Sequence, residues 1–170
     1  FCFVDRERAS QRAGWPVANG GWWFPGGGWV DPASLCRANL ARHAAAITAH
    51  YGCEVVQIER QEDLWQAYDA GGRVIAAAPV LILANASDAR RFAPAAHLPL
   101  RAARGQVSHL PAATGSAPGI VVCRLGYVTP AIDGLRCAGA TFAVDDEQTE
   151  LREADHAENL AKLDFILPGY

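Results

Sequence analysis

The sequence predicts a mixed α+β fold whose two halves carry different kinds of secondary structure. Two observations lead to this prediction. An alanine-rich helical segment begins after Asp31, and short apolar, strand-like runs follow it as far as residue 84. Strands separated by proline and glycine turns then occupy residues 105–142, and a helical pattern follows them. The second half is therefore predicted to be an antiparallel sheet with a covering helix.

Composition limits the class of protein. Hydrophobic residues make up 51% of the 170 residues, which is enough to bury a core and excludes a disordered chain. No apolar stretch approaches the roughly 20 residues that span a bilayer, so we expect no membrane partner. The net charge of −3 makes the surface as a whole unattractive to nucleic acid. Because the chain contains no Met and begins at Phe1, we expect it to be an internal piece of a longer protein.

The cysteines indicate a cytoplasmic protein with reduced thiols. There are five of them, and no two have a C-x-x-C spacing, so the sequence predicts neither a disulfide framework nor a metal site. Cys36, Cys123 and Cys137 lie in apolar runs, where cysteine behaves as a small hydrophobic residue. We therefore interpret these three cysteines as small hydrophobic residues with reduced thiols.

One long helix is predicted in the first half. Residues 1–13 are polar and show no clear period, and residues 14–30 are rich in glycine and tryptophan. We predict an irregular start and then aromatic strand fragments joined by glycine turns. Asp31 can cap a helix, and a proline at the next position fits the first helical turn. The alanine-rich run predicts that this helix covers residues 32–50.

The segment after this helix is predicted to supply mostly parallel strands. The continuous apolar run from Pro79 to Ala84 is typical of a strand buried on both faces, so we place it at the centre of a parallel sheet. A helical turn is predicted to begin at Asn85. The other predicted strands are residues 54–58, 64–68 and 73–76, with Gly71-Gly72 as a tight turn.

The second half predicts three antiparallel strands at residues 105–110, 119–125 and 135–142. A helix is predicted from about residue 149 to 163. Glu158 and Lys162 have the spacing of an i, i+4 ion pair on that helix.

Several stretches in this order carry a resemblance to a known family. They are G-G-W-V-D-P-A-S-L-C from Gly27, V-L-I-L-A-N from Val80, G-Q-V-S-H-L-P from Gly105, G-Y-V-T-P from Gly126 and C-A-G-A-T-F from Cys137. The chain resembles the FAD-dependent D-amino-acid oxidase superfamily, which includes glycine oxidase. Within it, the chain is most similar to the oxidase domain of bifunctional enzymes that modify the wobble uridine of tRNA. The resemblance covers essentially the whole chain.

The resemblance implies an FAD-dependent oxidation of an amine. The carboxymethyl group of 5-carboxymethylaminomethyl(-2-thio)uridine would leave as glyoxylate, with FAD as cofactor and tRNA as partner. A separate methyltransferase domain of the parent protein would use S-adenosylmethionine. The family's G-x-G-x-x-G phosphate turn and its later glycine- and arginine-containing segment do not occur in this sequence. We therefore expect an incomplete FAD site, and an inactive protein if the chain is isolated.

The resemblance also implies a domain organisation. Residues 1–30 would enter the substrate domain and form the glycine- and tryptophan-rich turn. Residues 31–92 would supply a helix and strands to an incomplete Rossmann-like FAD-binding domain. Residues 93–170 would form the substrate-binding antiparallel sheet and its helix.

The site residues are carried over by matched position. No catalytic base is implied, and each residue also has a purely structural interpretation as a turn, core, cap or sheet residue. The residues expected to bind the cofactor are Gly27, Gly28, Ile58, Ala84, Asn85 and Ala86. The residues expected to bind the substrate are Tyr127, Gly105, Gln106 and Arg104.

Two other functions remain open at this point. One is a glycine or D-amino-acid oxidase that acts on free amino acids, and the other is a non-catalytic binding module. A methyltransferase domain encoded upstream would favour the tRNA enzyme. Because the strand at 80–84 would lack its neighbours, we expect the chain to self-associate through an exposed sheet edge or to expose an apolar patch.

Overall fold

The computed structural model describes residues 1–170, which form two compact units. One unit combines Phe1–Leu35 with Ala103–Tyr170, and the other is Cys36–Ala102. Helices occur together with antiparallel sheets, which confirms the mixed α and β composition. The predicted division of the chain into substrate and FAD-binding segments stays a prediction. No helix is long and apolar enough to cross a membrane.

The chain begins with regular structure, and the prediction of an irregular start is wrong. Strand β1 (Cys2–Val4) leads into helix α1 (Arg6–Ala13). The Asp5 carboxylate caps α1 by accepting a hydrogen bond from the Arg8 backbone N–H at 2.8 Å, and Gly14 ends the helix at φ +71°. Strand β2 (Gly21–Trp23) pairs antiparallel with β1, which confirms an aromatic strand in this region.

Helix α2 (Pro32–Arg42) starts where the sequence predicts and ends earlier. The Asp31 carboxylate accepts a hydrogen bond from the Ser34 backbone N–H at 2.6 Å, as the capping pattern indicates. Only a 3₁₀ turn at Ala44–Ala46 follows the helix, so a helix over 32–50 is wrong. No residue of α2 is buried. Since most helices depend on packing for their stability, an alanine-rich run without buried side chains does not sustain a longer one.

The smaller unit contains an antiparallel meander, and the predicted parallel arrangement is wrong. Its strands are β3 (Gln57–Gln61), β4 (Leu64–Tyr68) and β5 (Val74–Ala78), paired in that order. The turn between β4 and β5 contains Gly71-Gly72, as predicted, and the Gly72 backbone N–H donates to the Asp69 carbonyl at 3.0 Å.

Residues 79–84 form no strand, which corrects the prediction of a buried central strand. Val80 is 71% exposed and Ile82 is 81% exposed. A strand needs a neighbour for its backbone hydrogen bonds, and within this unit the meander is paired only with itself. The helical turn predicted at Asn85 is present as a 3₁₀ segment, Ala86–Arg91, and a second one spans Ala93–Ala95.

The larger unit is built on a four-stranded antiparallel sheet, which confirms the predicted arrangement of its strands. The strand order is β7-β10-β9-β8, and β6 pairs separately with β11. Each strand is shorter than predicted. The strands are β6 (Ala103–Arg104), β7 (Val107–Pro111), β8 (Val122–Cys123), β9 (Tyr127–Val128), β10 (Leu135–Gly139) and β11 (Ala143–Val144).

Helix α3 (Glu153–Ile166) covers one face of this sheet, as predicted. Its Leu163 and Ile166 pack with Val128 and Ala138 of the sheet in the hydrophobic core of the larger unit. The Glu158 carboxylate lies 2.6 Å from the Lys162 ammonium, which confirms the predicted i, i+4 pair. The apolar contacts of α3 therefore fix which face of the sheet is buried.

Apolar side chains are also exposed. Phe1, Phe3, Trp22 and Phe24 lie on the β1–β2 pair, and their rings contact one another with centroids 5.5–5.7 Å apart. This aromatic surface is not the apolar patch that the sequence predicts at residues 80–84. Val80 and Ile82 in that segment are exposed as well. Self-association of the chain stays a prediction.

Truncation of Leu163 is expected to destabilise the larger unit. The Leu163→Ala variant loses buried apolar contacts and leaves a cavity beneath the sheet, which costs about 2–5 kcal/mol of unfolding free energy. Leu160→Ala, on the same helix at 47% exposure, is the matched control and costs about 1 kcal/mol or less. Urea denaturation followed by circular dichroism measures both. Equal losses for the two variants would contradict the packing of α3 described here.

Candidate functional site

The face of the main sheet opposite α3, called here the open face, is the candidate site. Side chains alternate between the two faces of a strand, and the register places Tyr127 opposite Cys123 on β8 and Gly139 on β10. Cys137 lies opposite His109 on the same face. The neighbouring positions Val128 and Ala138 point to α3 and are fully buried. A tyrosine, two thiols and an imidazole are thereby brought together on one surface.

Gly139 leaves the space beside Tyr127 free of a side chain. A side chain at that position would place its Cβ 3.0 Å from Cγ1 of Val107, which is closer than carbon atoms pack. Gly139 is also directly opposite Tyr127 in the sheet. The tyrosine ring therefore has backbone, not another side chain, as its cross-strand neighbour on β10.

The environment of Tyr127 favours its neutral form. Burial is the main cause that raises the pKa of the Tyr127 phenol, and the Cys137 and Cys123 sulfurs add to it. Burial also raises the pKa of the Cys137 and Cys123 thiols. The open face consequently presents uncharged hydroxyl and thiol groups at neutral pH. Such groups can orient a substrate by hydrogen bonding without adding a charge.

A polar cluster centred on Gln106 occupies the opposite side of the sheet. Gln106 is 5% exposed, and its side-chain oxygen accepts hydrogen bonds from Arg104 at 2.7 Å and from the Arg152 backbone N–H at 3.0 Å. Its side-chain nitrogen donates to the Arg152 carbonyl at 2.9 Å. Asn159 of α3 donates to the Gln106 carbonyl at 2.9 Å. The Gln106 side chain thus attaches the start of α3 to the sheet.

Arg104 belongs to this same cluster. Its guanidinium forms an ion pair with Asp155 of α3 and donates to the Glu150 carbonyl at 2.7 Å. Gly105 lies between Arg104 and Gln106, and a Cβ there would lie 3.2 Å from the Thr141 carbonyl oxygen. Substrate binding by these three residues stays a prediction, and their contacts within the chain favour a structural role. Of the four predicted substrate residues, only Tyr127 lies on the open face.

The residues predicted to bind the cofactor are divided between the two units. Gly27 and Gly28 lie in an exposed turn of the larger unit, where the Gly27 backbone N–H donates to the Phe24 carbonyl at 2.9 Å. No atom lies within 4 Å of a Cβ built at Gly28, so the backbone there is open to close approach. This accessibility fits the predicted role and does not test it.

The remaining cofactor candidates lie in the smaller unit. Ile58 is 6% exposed on β3, and its side chain is a core residue of that meander. Ala84, Asn85 and Ala86 are exposed where the extended segment enters its 3₁₀ turn, and Asn85 makes no side-chain capping bond. The free amide and exposed backbone can meet a ribose or phosphate, so these residues fit an edge of FAD. Their role stays a prediction.

The cysteines differ in part from the sequence prediction. All five are free thiols, and no group of His, Cys, Asp or Glu side chains has the geometry to hold a metal ion. Cys36 and Cys123 are exposed, so they are not hydrophobic core residues. Cys36 lies on α2, which buries no residue, and Cys123 lies at the edge of the main sheet. Cys137 is partly buried.

Sequence reasoning missed the other groups of the open face. Cys123, Cys137 and His109 become neighbours of Tyr127 only through cross-strand register, because they lie on three different strands. The short spacing from Cys123 to Tyr127 around Gly126 is a detectable hairpin signal. The position of His109 opposite Cys137 has no local signal of that kind.

The fold and the site place a tyrosine, two thiols and an imidazole on the open face of an antiparallel sheet. Among protein families, the model described as FAD dependent oxidoreductase (DAO) matches residues 2–169. The chain belongs to this family.

Three similar curated proteins share one name, tRNA 5-methylaminomethyl-2-thiouridine biosynthesis bifunctional protein MnmC. The protein from Aromatoleum aromaticum is 60% identical over 168 residues, and that from an Azoarcus species is 55% identical over 168 residues; each match covers 99% of this chain. The protein from Paraburkholderia xenovorans is 43% identical and covers 98%. The chain spans about a quarter of the length of these relatives, 26% in each of the three.

Substitution of Gln106 separates its structural role from a role in substrate binding. Gln106→Leu leaves buried polar partners on Arg104 and Arg152 unpaired, so we expect a loss of about 2 kcal/mol or more in unfolding free energy. Gln57→Leu on β3, which is exposed, is the control and changes stability by about 0.5 kcal/mol or less. Chemical denaturation measures both variants. Wild-type stability in Gln106→Leu would contradict the attachment of α3 through this side chain.

The thiols are expected to differ in reactivity. The thiolate is the reactive form, and a raised pKa lowers its fraction at any pH below that pKa. Cys137 should therefore be alkylated by iodoacetamide more slowly at pH 8 than the exposed Cys36, and the difference should narrow as the pH rises. Time-resolved peptide mass spectrometry measures both sites in one sample. Equal rates at both sites would show that Cys137 is neither shielded nor shifted.

Proposed function

We propose that the full-length protein is an FAD-dependent amine oxidoreductase that acts on the wobble uridine of tRNA. It removes the carboxymethyl group from 5-carboxymethylaminomethyl(-2-thio)uridine and releases glyoxylate. The sequence identities of 60% and 55% to relatives named for 5-methylaminomethyl-2-thiouridine biosynthesis support this substrate. Membership of the FAD dependent oxidoreductase family supports the reaction type. A tRNA substrate also favours the cytoplasm as the location.

The proposed reaction is balanced by the cofactor and one water molecule. FAD, when bound, accepts two electrons and the hydrogen from the α-carbon of the carboxymethyl group. The C–H bond breaks and a carbon–nitrogen double bond forms in the substrate. Water adds to this imine, and the carbon–nitrogen bond then breaks to give glyoxylate and the primary amine of 5-aminomethyluridine. The protein itself has to bind the amine, orient its α-carbon and limit the access of water.

The open face of the main sheet is the observation that supports this role for the chain. It carries Tyr127 between two thiols, with a glycine opposite it and no carboxylate at the register positions described above. Since no carboxylate at these positions stabilises the protonated amine, the amine can lose its proton before oxidation. The raised pKa of Tyr127 keeps its hydroxyl as a hydrogen-bond donor over the physiological range.

The chain would hold one part of the cofactor. The exposed segment Ala84–Ala86 would meet the ribose or pyrophosphate, and the turn at Gly27–Gly28 would approach the flavin. The sequence contains no G-x-G-x-x-G phosphate turn, so other residues of the full-length protein would supply the main phosphate contacts. The word "bifunctional" in the names of the relatives supports a second, S-adenosylmethionine-dependent methyltransferase activity in that protein.

A single experiment tests the substrate. The full-length protein is mixed anaerobically with tRNA that carries 5-carboxymethylaminomethyluridine, and the flavin absorbance near its visible maximum is followed. We expect bleaching and one glyoxylate released per flavin reduced. Glycine and D-alanine are tested separately as alternative substrates. Bleaching by these free amino acids and not by the tRNA would identify an amino-acid oxidase, and no bleaching by any of them would favour a binding module.

Substitution of Tyr127 tests the open face as the substrate surface. Tyr127→Ala removes the ring and its hydroxyl, so we expect kcat/KM for the modified tRNA to fall about 10- to 100-fold, the loss of one well-placed contact. Tyr127→Phe separates the two contributions, because it keeps the ring and loses only the donor. Tyr51→Ala, at a 77% exposed residue, is the control and should leave kcat/KM unchanged. A Tyr127→Ala enzyme with wild-type kcat/KM and stability would exclude this surface.

A further inference from the structure

A second cavity lies in the larger unit and shares only Cys123 with the residues assigned to the open face. It has a volume of about 320 Å³, and helix α1, strand β2, strand β8 and the end of α3 form its walls. The side chains of Arg12, Arg124 and Trp23 line it, together with mostly small apolar residues. This volume is in the range of natural ligand sites. The region is called here the cationic cavity.

The charge of the cationic cavity is not compensated. Arg12 and Arg124 are exposed, and no acidic side chain is among the lining residues. Neither arginine forms a salt bridge. Asn19 lies beside Arg124, and its amide oxygen, when oriented toward the guanidinium, accepts from both terminal nitrogens at 3.1 Å. That partner is neutral, so two positive charges remain at the cavity in a protein whose net charge is −3.

Both guanidinium groups are stacked on aromatic rings. Arg12 lies 4.3 Å from the centroid of Trp23, and Arg124 lies 3.8 Å from the centroid of Phe165. Stacking holds the plane of each guanidinium and leaves N–H groups at its edge that can donate. On Arg124, Asn19 accepts one hydrogen bond from each terminal nitrogen, and each of these nitrogens keeps a second N–H. Each arginine is thus oriented before a ligand arrives, which lowers the entropy lost on binding. A planar, oriented guanidinium matches the oxygens of a phosphate group.

The cavity combines two cations with the aromatic residues Trp22 and Trp23, and Phe165 orients Arg124 from outside the lining. A strand of nucleotides carries the complementary groups, phosphates and bases, whereas a lone inorganic anion would use only the cations. Single-stranded nucleic acids bind proteins through such combinations of arginine and aromatic side chains. A purely structural role is the alternative: Arg12 and Arg124 would then only cover the rings of Trp23 and Phe165, and no ligand would bind.

We propose that the cationic cavity binds a single-stranded segment of the RNA substrate, with phosphates on Arg12 and Arg124 and a base against Trp23. The identification of the ligand as RNA rests on the proposed function, while the anionic character of the ligand rests on the cavity itself. This surface would hold a part of the tRNA other than the reacting amine. Arg12 and Arg124 are therefore binding residues and take no part in the oxidation.

The test is RNA binding by the full-length protein without turnover. Fluorescence anisotropy is measured with a labelled, unmodified RNA hairpin that carries a single-stranded loop, over a range of salt concentrations. We expect Arg12→Gln and Arg124→Gln each to weaken binding about tenfold at low salt. Each should also reduce the slope of log K against log salt by about 0.7, the value for one phosphate contact on a single strand. Arg12→Lys and Arg124→Lys keep the charge and should restore the salt slope.

Matched controls separate this site from general charge effects and from misfolding. Arg8→Gln removes a charge from the same helix α1 outside the cavity, so it should leave the affinity nearly unchanged. Cys123 lines the cavity and is exposed, so bound RNA should slow its reaction with a maleimide. Cys137 lies on the open face and does not line the cavity, so its rate should not change, and Cys36 should react at the same rate with or without RNA. Slowing of Cys123 and Cys137 together would place the RNA on the open face and overturn the proposal. This labelling uses the wild-type protein and does not depend on the folding of any variant.

The outcomes distinguish this proposal from the proposed function. Wild-type affinity and salt slope in both glutamine variants, or an equal loss in Arg8→Gln, would overturn the proposal. Loss of bound FAD in Arg12→Gln or Arg124→Gln would overturn it as well, because the cavity would then serve the cofactor. A protein that fails to oxidise modified tRNA but binds RNA through these arginines would contradict the proposed function and leave the cationic cavity supported.

Discussion

The attachment of α3 to the main sheet through Gln106 is the interaction on which the rest of the larger unit depends. The buried side-chain amide of Gln106 contacts Arg104 and the backbone of Arg152. The backbone carbonyl of Gln106 accepts a further hydrogen bond from Asn159 of the helix. Every side-chain hydrogen-bonding atom of Gln106 has a partner, so its burial costs little. The Ser108 hydroxyl extends the cluster, 2.8 Å from Nδ1 of His156 on α3. The helix is therefore held at its first turns by polar contacts and at its later turns by apolar ones.

This attachment decides which face of the sheet remains available. Side chains alternate along a strand, so a residue next to one that faces α3 must face the other way. Gln106 and Ser108 face the helix, and Val107 and His109 therefore lie on the open face. A shift of the register by one residue would exchange the two sets and bury Tyr127 against the helix. The same contacts that stabilise the larger unit thus position the proposed substrate surface.

The sequence predicted features that depend on local chemistry. Strand β4 was placed at residues 64–68, where the structure has it, and the capped start of α2, the Gly71-Gly72 turn and the Glu158–Lys162 pair follow from neighbouring residues. Helix α1 is not predicted, because its eight residues are mostly polar and show no apolar period. Asp5 and Gly14 are nevertheless recognisable helix caps in the sequence.

Features that depend on distant residues were predicted less well. The apolar run at 79–84 has the composition of a buried strand, but composition does not supply the neighbouring strands that burial requires. Arg104 and Gln106 were placed in the site by resemblance, and their partners Asp155, Arg152 and Asn159 lie some fifty positions away in sequence, beyond any local pattern. The two arginines of the cationic cavity meet only because α1 and β8 converge there.

Oxidation of the substrate against the open face of the main sheet, as proposed here, can be tested by a crystal structure of the full-length protein with FAD and a non-reactive analogue of the modified nucleoside. We expect the analogue between the isoalloxazine ring and this face, in contact with Tyr127 and remote from α3. An analogue and flavin bound elsewhere, with Tyr127 still exposed to solvent, would contradict it.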